Sequence, residues 1–259
     1  MSVSAKKSQA RATDIFVVGT GIESVRQLTL EAVDSLRACN TVFTVDHGFG
    51  VADFIASLGP EVIDLIPEYK PGLHRLITYQ RMAARVVEKA MANPPVALAV
   101  YGHPSWLVFP AELIVEAARV MGLNVQVIPG ISSVDTMVVE LGIDPATRGL
   151  QIHEATGLVV FEHTIDPHVP CILLQVDAFR VETFNPKRNN PGRLEELVRY
   201  LDRFYPPSHR ITSVYSKTHP LMRPVKIEFA LDELAKAYEQ PGFSGSIYLP
   251  PVSEDKPRE

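Results

Sequence analysis

Three turns in this 259-residue chain place glycine, proline, hydroxyl and aromatic groups directly after apolar runs. Gly19-Thr20-Gly21 follows Ile15–Val18, Tyr101-Gly102-His103-Pro104-Ser105-Trp106 follows Val96–Val100, and Pro129-Gly130-Ile131-Ser132-Ser133 follows Val125–Ile128. Glycine lets backbone approach a ligand closely, and open α/β sheets bind ligands at the carboxyl ends of their strands. In the third turn Gly130 frees the backbone, and Ser132 or Ser133 caps a helix whose exposed N–H groups favour a carboxylate. Each turn alone is equally well explained as a tight connection; three together point to a cleft. A second group is Arg75 and Tyr79, four apart at an expected helix start and therefore on one face. Tyr69 precedes Lys70-Pro71-Gly72, a turn that folds it back toward them. A guanidinium beside phenols offers acid–base and anion-stabilising chemistry; a surface arginine stacked on tyrosines is the alternative.

Other chemistries find less support. Gly19-Thr20-Gly21 with Asp46 suggests a dinucleotide fingerprint, but Gly21-Ile22-Glu23-Ser24 lacks the third glycine. No Gly–Lys–Ser/Thr phosphate loop is present. His153-Glu154 lacks a second histidine four positions after the first, and His163 and His168 have no ligand partners at metal spacing, so no metal is expected. Cys39 and Cys171 lie in apolar surroundings and read as buried thiols of a reducing, cytoplasmic compartment. With 25 Lys+Arg against 30 Asp+Glu, the net charge is −5. That argues against a nucleic-acid partner, and the absence of an apolar run near ~20 residues argues against a membrane partner.

The elements that must position these groups alternate strand and helix through the first half. Strands are predicted over Ile15–Val18, Val42–Val45, Val62–Ile66, Val96–Val100 and Val125–Ile128. Helices are predicted over Leu28–Ala38, Val51–Leu58, Tyr79–Met91 and Ala111–Met121. That alternation implies βαβ units around a parallel sheet. Beyond Pro129 a helix is predicted over Ile131–Glu140, followed by closer-spaced strands at Leu158–Phe161, Ile172–Val176, Ile211–Val214, Val225–Phe229 and Ser246–Leu249. Arg193–Phe204 and Asp232–Tyr238 are the remaining helices. The expectation is an α/β chain with a polar tail over 1–13, an N-terminal α/β domain over 14–115, a C-terminal mixed-sheet α/β domain over 116–251, and a tail over 252–259.

Gly-Thr-Gly after a strand, Leu28-Thr29-Leu30, the loop around Gly102 and Pro129-Gly130-Ile131-Ser132-Ser133 together resemble the S-adenosylmethionine-dependent tetrapyrrole methylases, over roughly residues 14–251. Tyr101-Gly102-His103-Pro104, Leu141-Gly142-Ile143-Asp144-Pro145 and Ser246-Ile247-Tyr248-Leu249-Pro250-Pro251 are similar to the borosin α-N-methyltransferases, which methylate backbone amides of a ribosomal precursor peptide. The resemblance implies two α/β domains with S-adenosylmethionine in the cleft between them, S-adenosylhomocysteine as product, and a homodimer. It assigns Tyr69, Arg75 and Tyr79 to catalysis. Amide methylation needs a base and a partner for the imidate oxygen, so the expectation is Tyr79 or Tyr69 as base, with Arg75 either favouring the tyrosinate or binding the amide oxygen. The resemblance assigns Gly19, Gly21, Tyr101, His103, Trp106, Leu107, Ser132, Ser133, Gln175 and Ile247 to the donor. For Trp106, plain core packing is the alternative.

The polar ending Pro250–Glu259 carries no apolar core peptide. The expected substrate is therefore a separate precursor with an apolar C-terminal core, methylated in trans within a homodimer or a heterotetramer with the precursor. The basic stretch Lys187–Arg193 touches that partner or is a solvated loop. A tetrapyrrole C-methyltransferase and a non-catalytic binding module are the competing readings.

Overall fold

A computed structural model of the chain describes residues 12–45, 50–185 and 190–252. Asp46, Lys187–Asn189 and most of both predicted tails lie outside the described residues. Two units divide the chain, Met1–Ser132 and Ser133–Glu259.

In the first unit β1 (Ile15–Gly19), α1 (Leu30–Arg37), β2 (Thr41–Val45), α2 (Val51–Ser57), β3 (Glu61–Asp64), α3 (Arg75–Ala92), β4 (Val96–Val100), α4 (Phe109–Met121) and β5 (Val125–Ile128) alternate along the chain. The strands form one sheet in the order β3-β2-β4-β1-β5, parallel throughout. Strand alternation divides the core into two layers. Ile15 and Val17 of β1 and Val96, Leu98 and Val100 of β4 pack with Met82 and Val86 of α3 and Ile114 and Ala118 of α4. Val18, Ala97 and Ala99 face the other way, onto Ala32 and Leu36 of α1 and Ile55 of α2. Helices on both faces explain why these strands read as unbroken apolar runs. Because all five strands run the same way, every connection leaving a strand emerges at one edge of the sheet.

The expected boundary at 115/116 is corrected to Ser132. Residues 116–132 complete α4 and supply β5, which pairs with β1 in the register Ile15↔Val125 to Val18↔Ile128. The expected tail ends are also shorter. Ala12 O accepts from Asn124 Nδ2 at 3.0 Å, and Val252 N donates to Pro167 O at 2.8 Å.

The second unit runs α5 (Ser133–Leu141), α6 (Pro145–Arg148), β6 (Gln151–Glu154), α7 (Ala155–Val160), β7 (Cys171–Leu174), α8 (Leu194–Leu201), β8 (Arg210–Tyr215), β9 (Val225–Ala230), α9 (Leu234–Ala237) and β10 (Ile247–Leu249). Its mixed sheet has the order β6-β7-β10-β8-β9, with β6 parallel to β7 and the remaining pairs antiparallel. The predicted strand Leu158–Phe161 is instead largely α7. The Glu154 carboxylate accepts from Thr156 N at 2.9 Å and Gly157 N at 2.6 Å, and this cap starts a helix that the apolar run then continues. Among the described residues no helix is long and apolar enough to cross a membrane.

Candidate functional site

The first-unit turns meet at glycines. Gly21 N donates to Gly102 O at 3.2 Å and Gly102 N to Gly21 O at 2.9 Å, forming an isolated antiparallel bridge beyond the ends of β1 and β4. A Cβ on Gly19 would lie 2.6 Å from Gly102 O and 2.7 Å from Gly130 N; one on Gly130 would lie 2.4 Å from Gly102 O. Three backbones thus cross where no side chain fits. The Gly21 side is taken as well, because a Cβ there would meet Gln27 Cβ at 2.5 Å. Gln27 Oε1 accepts from Ile22 N at 2.7 Å and Glu23 N at 2.9 Å, closing the turn. Gly19 and Gly21 therefore act here by letting protein loops converge.

The His103 ring is held by Ser105 N, which donates to Nδ1 at 3.1 Å, so this nitrogen is the acceptor. Trp106 and Leu107 are 39% and 42% exposed, which excludes the core-packing alternative for Trp106. Leu107 occupies the left-handed region at φ 58°, a strained conformation for leucine. Tyr101 is half-buried and Ser132 buried.

The tyrosine–arginine group is built on α3. Lys70 O accepts from Leu73 N at 3.0 Å, with Pro71 and Gly72 (φ 78°) at the centre of the turn. This is the reversal that type II turn chemistry requires. Glu68 pairs with Arg85 of α3 at 2.9 Å and anchors the segment just before Tyr69. The result is an edge contact between Tyr69 and Tyr79, with ring centroids 6.2 Å apart and planes at 85°. Arg75, the first residue of α3, stands one turn before Tyr79; its Nε is buried without a hydrogen-bond partner among the described residues. Phe109 completes the aromatic surface 6.1 Å from Tyr79. Sequence reasoning missed Phe109 because it began the following helix at Ala111; Pro110 at the second helical position was the available signal.

Three candidates lie in the second unit. Ser133 opens α5, and its carbonyl accepts from Thr136 Oγ1 at 2.9 Å, which itself lies 2.8 Å from Ser216 Oγ. Gln175 is half-buried just past β7 with φ 57°. Ile247 is 1% exposed, packed in the core and paired on both sides by β7 and β8. Its side chain is committed to that core. The basic-stretch reading is corrected at Arg193, whose guanidinium turns inward to Asp177 O and Tyr238 Oη. Both cysteines are buried, and burial pushes each thiol up to about 12. Among the described residues no three His, Cys, Asp or Glu side chains gather as a metal site.

A parallel α/β unit with three loops joined at one sheet edge, followed by a mixed-sheet unit, is the architecture of a methylase class. The profile of the Tetrapyrrole (Corrin/Porphyrin) Methylases matches residues 14–218, and the chain belongs to that family. It is 29% identical over 246 residues to the methyltransferase/ribosomally synthesized cyclic peptide dendrothelin A precursor of Dendrothele bispora, covering 94% of this chain and 59% of that one. It is 27% identical over 246 residues to the corresponding omphalotin A precursor of Omphalotus olearius, with the same coverage. The chain thus spans about three fifths of the length of these curated relatives. Among solved structures, uroporphyrin-III C-methyltransferase from Thermus thermophilus complexed with S-adenyl homocysteine shares the fold. Its TM-score is 0.60 at 18% identity, covering 90% of this chain and 95% of that one.

Proposed function

We propose that this chain is an S-adenosylmethionine-dependent methyltransferase that methylates backbone amide nitrogens of a ribosomal precursor peptide presented as a separate molecule. The observation that carries this reading is the edge-packed Tyr69–Tyr79 pair one helical turn from Arg75, whose Nε–H is buried and unpartnered among the described residues. The relatives named as methyltransferase/cyclic peptide precursors support the substrate class.

An amide nitrogen is a poor nucleophile because its lone pair is delocalised into the carbonyl. Methylation needs a base for the N–H proton and a partner for the charge that gathers on oxygen. In this reading the phenolate oxygen of ionised Tyr69 or Tyr79 takes the amide proton and becomes the phenol, while Arg75 binds the amide oxygen as charge gathers there. A buried donor left unpaired costs about 1–3 kcal/mol, and a substrate carbonyl accepting from Arg75 Nε removes that cost. S-adenosylmethionine, when bound, supplies a methyl group activated by its sulfonium. The residues fit such a group: Trp106, partly exposed, and Tyr101 both belong to the loop that leaves the carboxyl end of β4, and aromatic faces suit a sulfonium cation and an adenine ring. Tyr101, His103, Trp106, Leu107 and Ser132 are the candidate donor residues in the first unit, where Gly19 and Gly21 shape the loops. Taken by itself, the second unit offers Ser133 and Gln175 as candidates.

The test supplies the purified chain with a co-expressed candidate precursor and reads the peptide's intact mass and fragmentation. Successive single-methyl increments on backbone nitrogens are expected. Tyr79→Phe and Arg75→Lys are each expected to slow them about 10²-fold, the low end of acid–base contributions. Native rates in both variants would refute the assigned roles. Methylation of a porphyrinoid but not of peptide would move the chain to tetrapyrrole C-methylation. Donor binding without turnover on either would make it a binding module.

A further inference from the structure

Gln175 is held in a conformation that its own sequence does not favour. It follows the last residue of β7 with φ 57° and ψ 32°, the left-handed region that glycine or asparagine usually occupies. The single 3-10 turn after it, Val176–Ala178, is too short to impose that geometry. The restraint comes from two distant segments. On one side, Val176 N donates to Gly245 O at 3.0 Å, and a Cβ on Gly245 would lie only 1.9 Å from Asp177 Oδ1, so Asp177 rests against bare backbone. On the other side stands Arg193, the residue immediately before α8. Its Nη2 donates to Asp177 O at 2.5 Å and to Tyr238 Oη at 3.0 Å, and its Nη1 donates to Asn190 O at 3.2 Å.

The guanidinium carbon also lies 5.0 Å from the centroid of the Tyr238 ring. Tyr238 is 3% exposed and packs edge-on against buried Phe243, with ring centroids 5.5 Å apart. Arg193 is therefore fixed on a rigid aromatic base while its planar fork reaches the turn that carries Gln175. A lysine could place one charge there but could not stack and donate from two nitrogens at once.

We infer that Arg193 is a positioning residue that clamps the Gln175 turn in its ligand-binding shape, and so sets affinity for the methyl donor rather than the rate of methyl transfer. The inference rests on the reading of Gln175 as a donor-binding residue.

The test titrates the full chain with S-adenosylhomocysteine by calorimetry and measures donor KM and kcat on the precursor. Gln175→Ala, Arg193→Ala and Arg193→Lys are each expected to weaken binding about tenfold, equivalent to one charge-assisted hydrogen bond. The Gln175→Ala/Arg193→Ala double variant should lose no more than either single change, because both act through one group. At saturating donor, kcat should stay within about twofold for the Arg193 variants, since an effect on affinity alone leaves turnover unchanged. Arg193→Lys keeps stem and charge and serves if Arg193→Ala does not fold. If Gln175→Ala weakens binding and neither Arg193 variant does, the clamp is refuted while the donor reading stands. If Gln175→Ala binds as tightly as the native chain, the donor reading of Gln175 fails, and the clamp's proposed purpose fails with it.

Discussion

Replacing Gly130 by alanine tests the crossing of the three loops directly. The backbone of Gly130 lies outside the left-handed region, so alanine meets no conformational objection there. Its Cβ would lie 2.4 Å from Gly102 O, 2.7 Å from Gly19 C and 2.8 Å from Gly19 Cα. These separations fall about 1 Å inside the ~3.5 Å optimum for carbon contacts. All three atoms are backbone, so no side-chain rotation relieves the overlap. Overpacking costs about 1–3 kcal/mol, and a rigid surround places this case at the upper end. About 3 kcal/mol lowers Tm by roughly 6–12 °C in a protein of this size. Gly122→Ala is the control: φ is 70° and nothing lies within 4 Å, so it carries left-handed strain alone, about 1 kcal/mol or roughly 2–4 °C. Thermal unfolding followed by circular dichroism and calorimetry reads both variants. If Gly130→Ala melts no lower than Gly122→Ala, the loops do not meet as described.

Two other perturbations address stability away from that crossing. His153 and His209 are each pushed below the ordinary 6.5, chiefly by burial, with the Pro250 carbonyl partly opposing the shift at His209. The unfolded chain therefore binds these protons first. Stability is full above pH 6.5 and falls as pH drops through that value, so denaturant midpoints at about pH 5.5 and 7.5 should differ less in a His153→Asn/His209→Gln variant than in the native chain. Thr78 is fully buried on α3, and its hydroxyl has no hydrogen-bond partner among the described residues. Thr78→Val removes that unmet group at nearly constant volume and should raise stability by about 1 kcal/mol; a loss of stability in urea unfolding would show that the hydroxyl has a partner.

The first unit was legible because its strands are covered on both faces and its helices carry clear apolar stripes. Thr78, Met82, Ala83, Val86, Val87 and Ala90 all lie on the buried face of α3. The approach of Tyr69 to Tyr79 was also legible, since Pro71-Gly72 specifies the reversal by itself. A short apolar run misleads where a cap decides the outcome: Leu158–Val160 joined a helix because the Glu154 carboxylate bonds the first amides. The unit boundary was misplaced because β5 pairs with β1, more than a hundred residues away, and no local pattern announces that pairing. The same limit applies to Ile247, whose place in the core follows from long-range strand pairing. It applies equally to Gln175 and Arg193, whose geometry depends on partners contributed by Gly245 and Tyr238.

The buried thiols carry a practical consequence. Maleimide and iodoacetamide reagents attack the thiolate, and burial leaves Cys39 and Cys171 almost wholly protonated at neutral pH as well as sterically shielded. A cysteine introduced at an exposed site, such as Val139 on α5 or Val120 on α4, should accept a fluorophore without prior removal of the native pair. Labels on those helices would let the two units be watched separately by spectroscopy in an otherwise native chain.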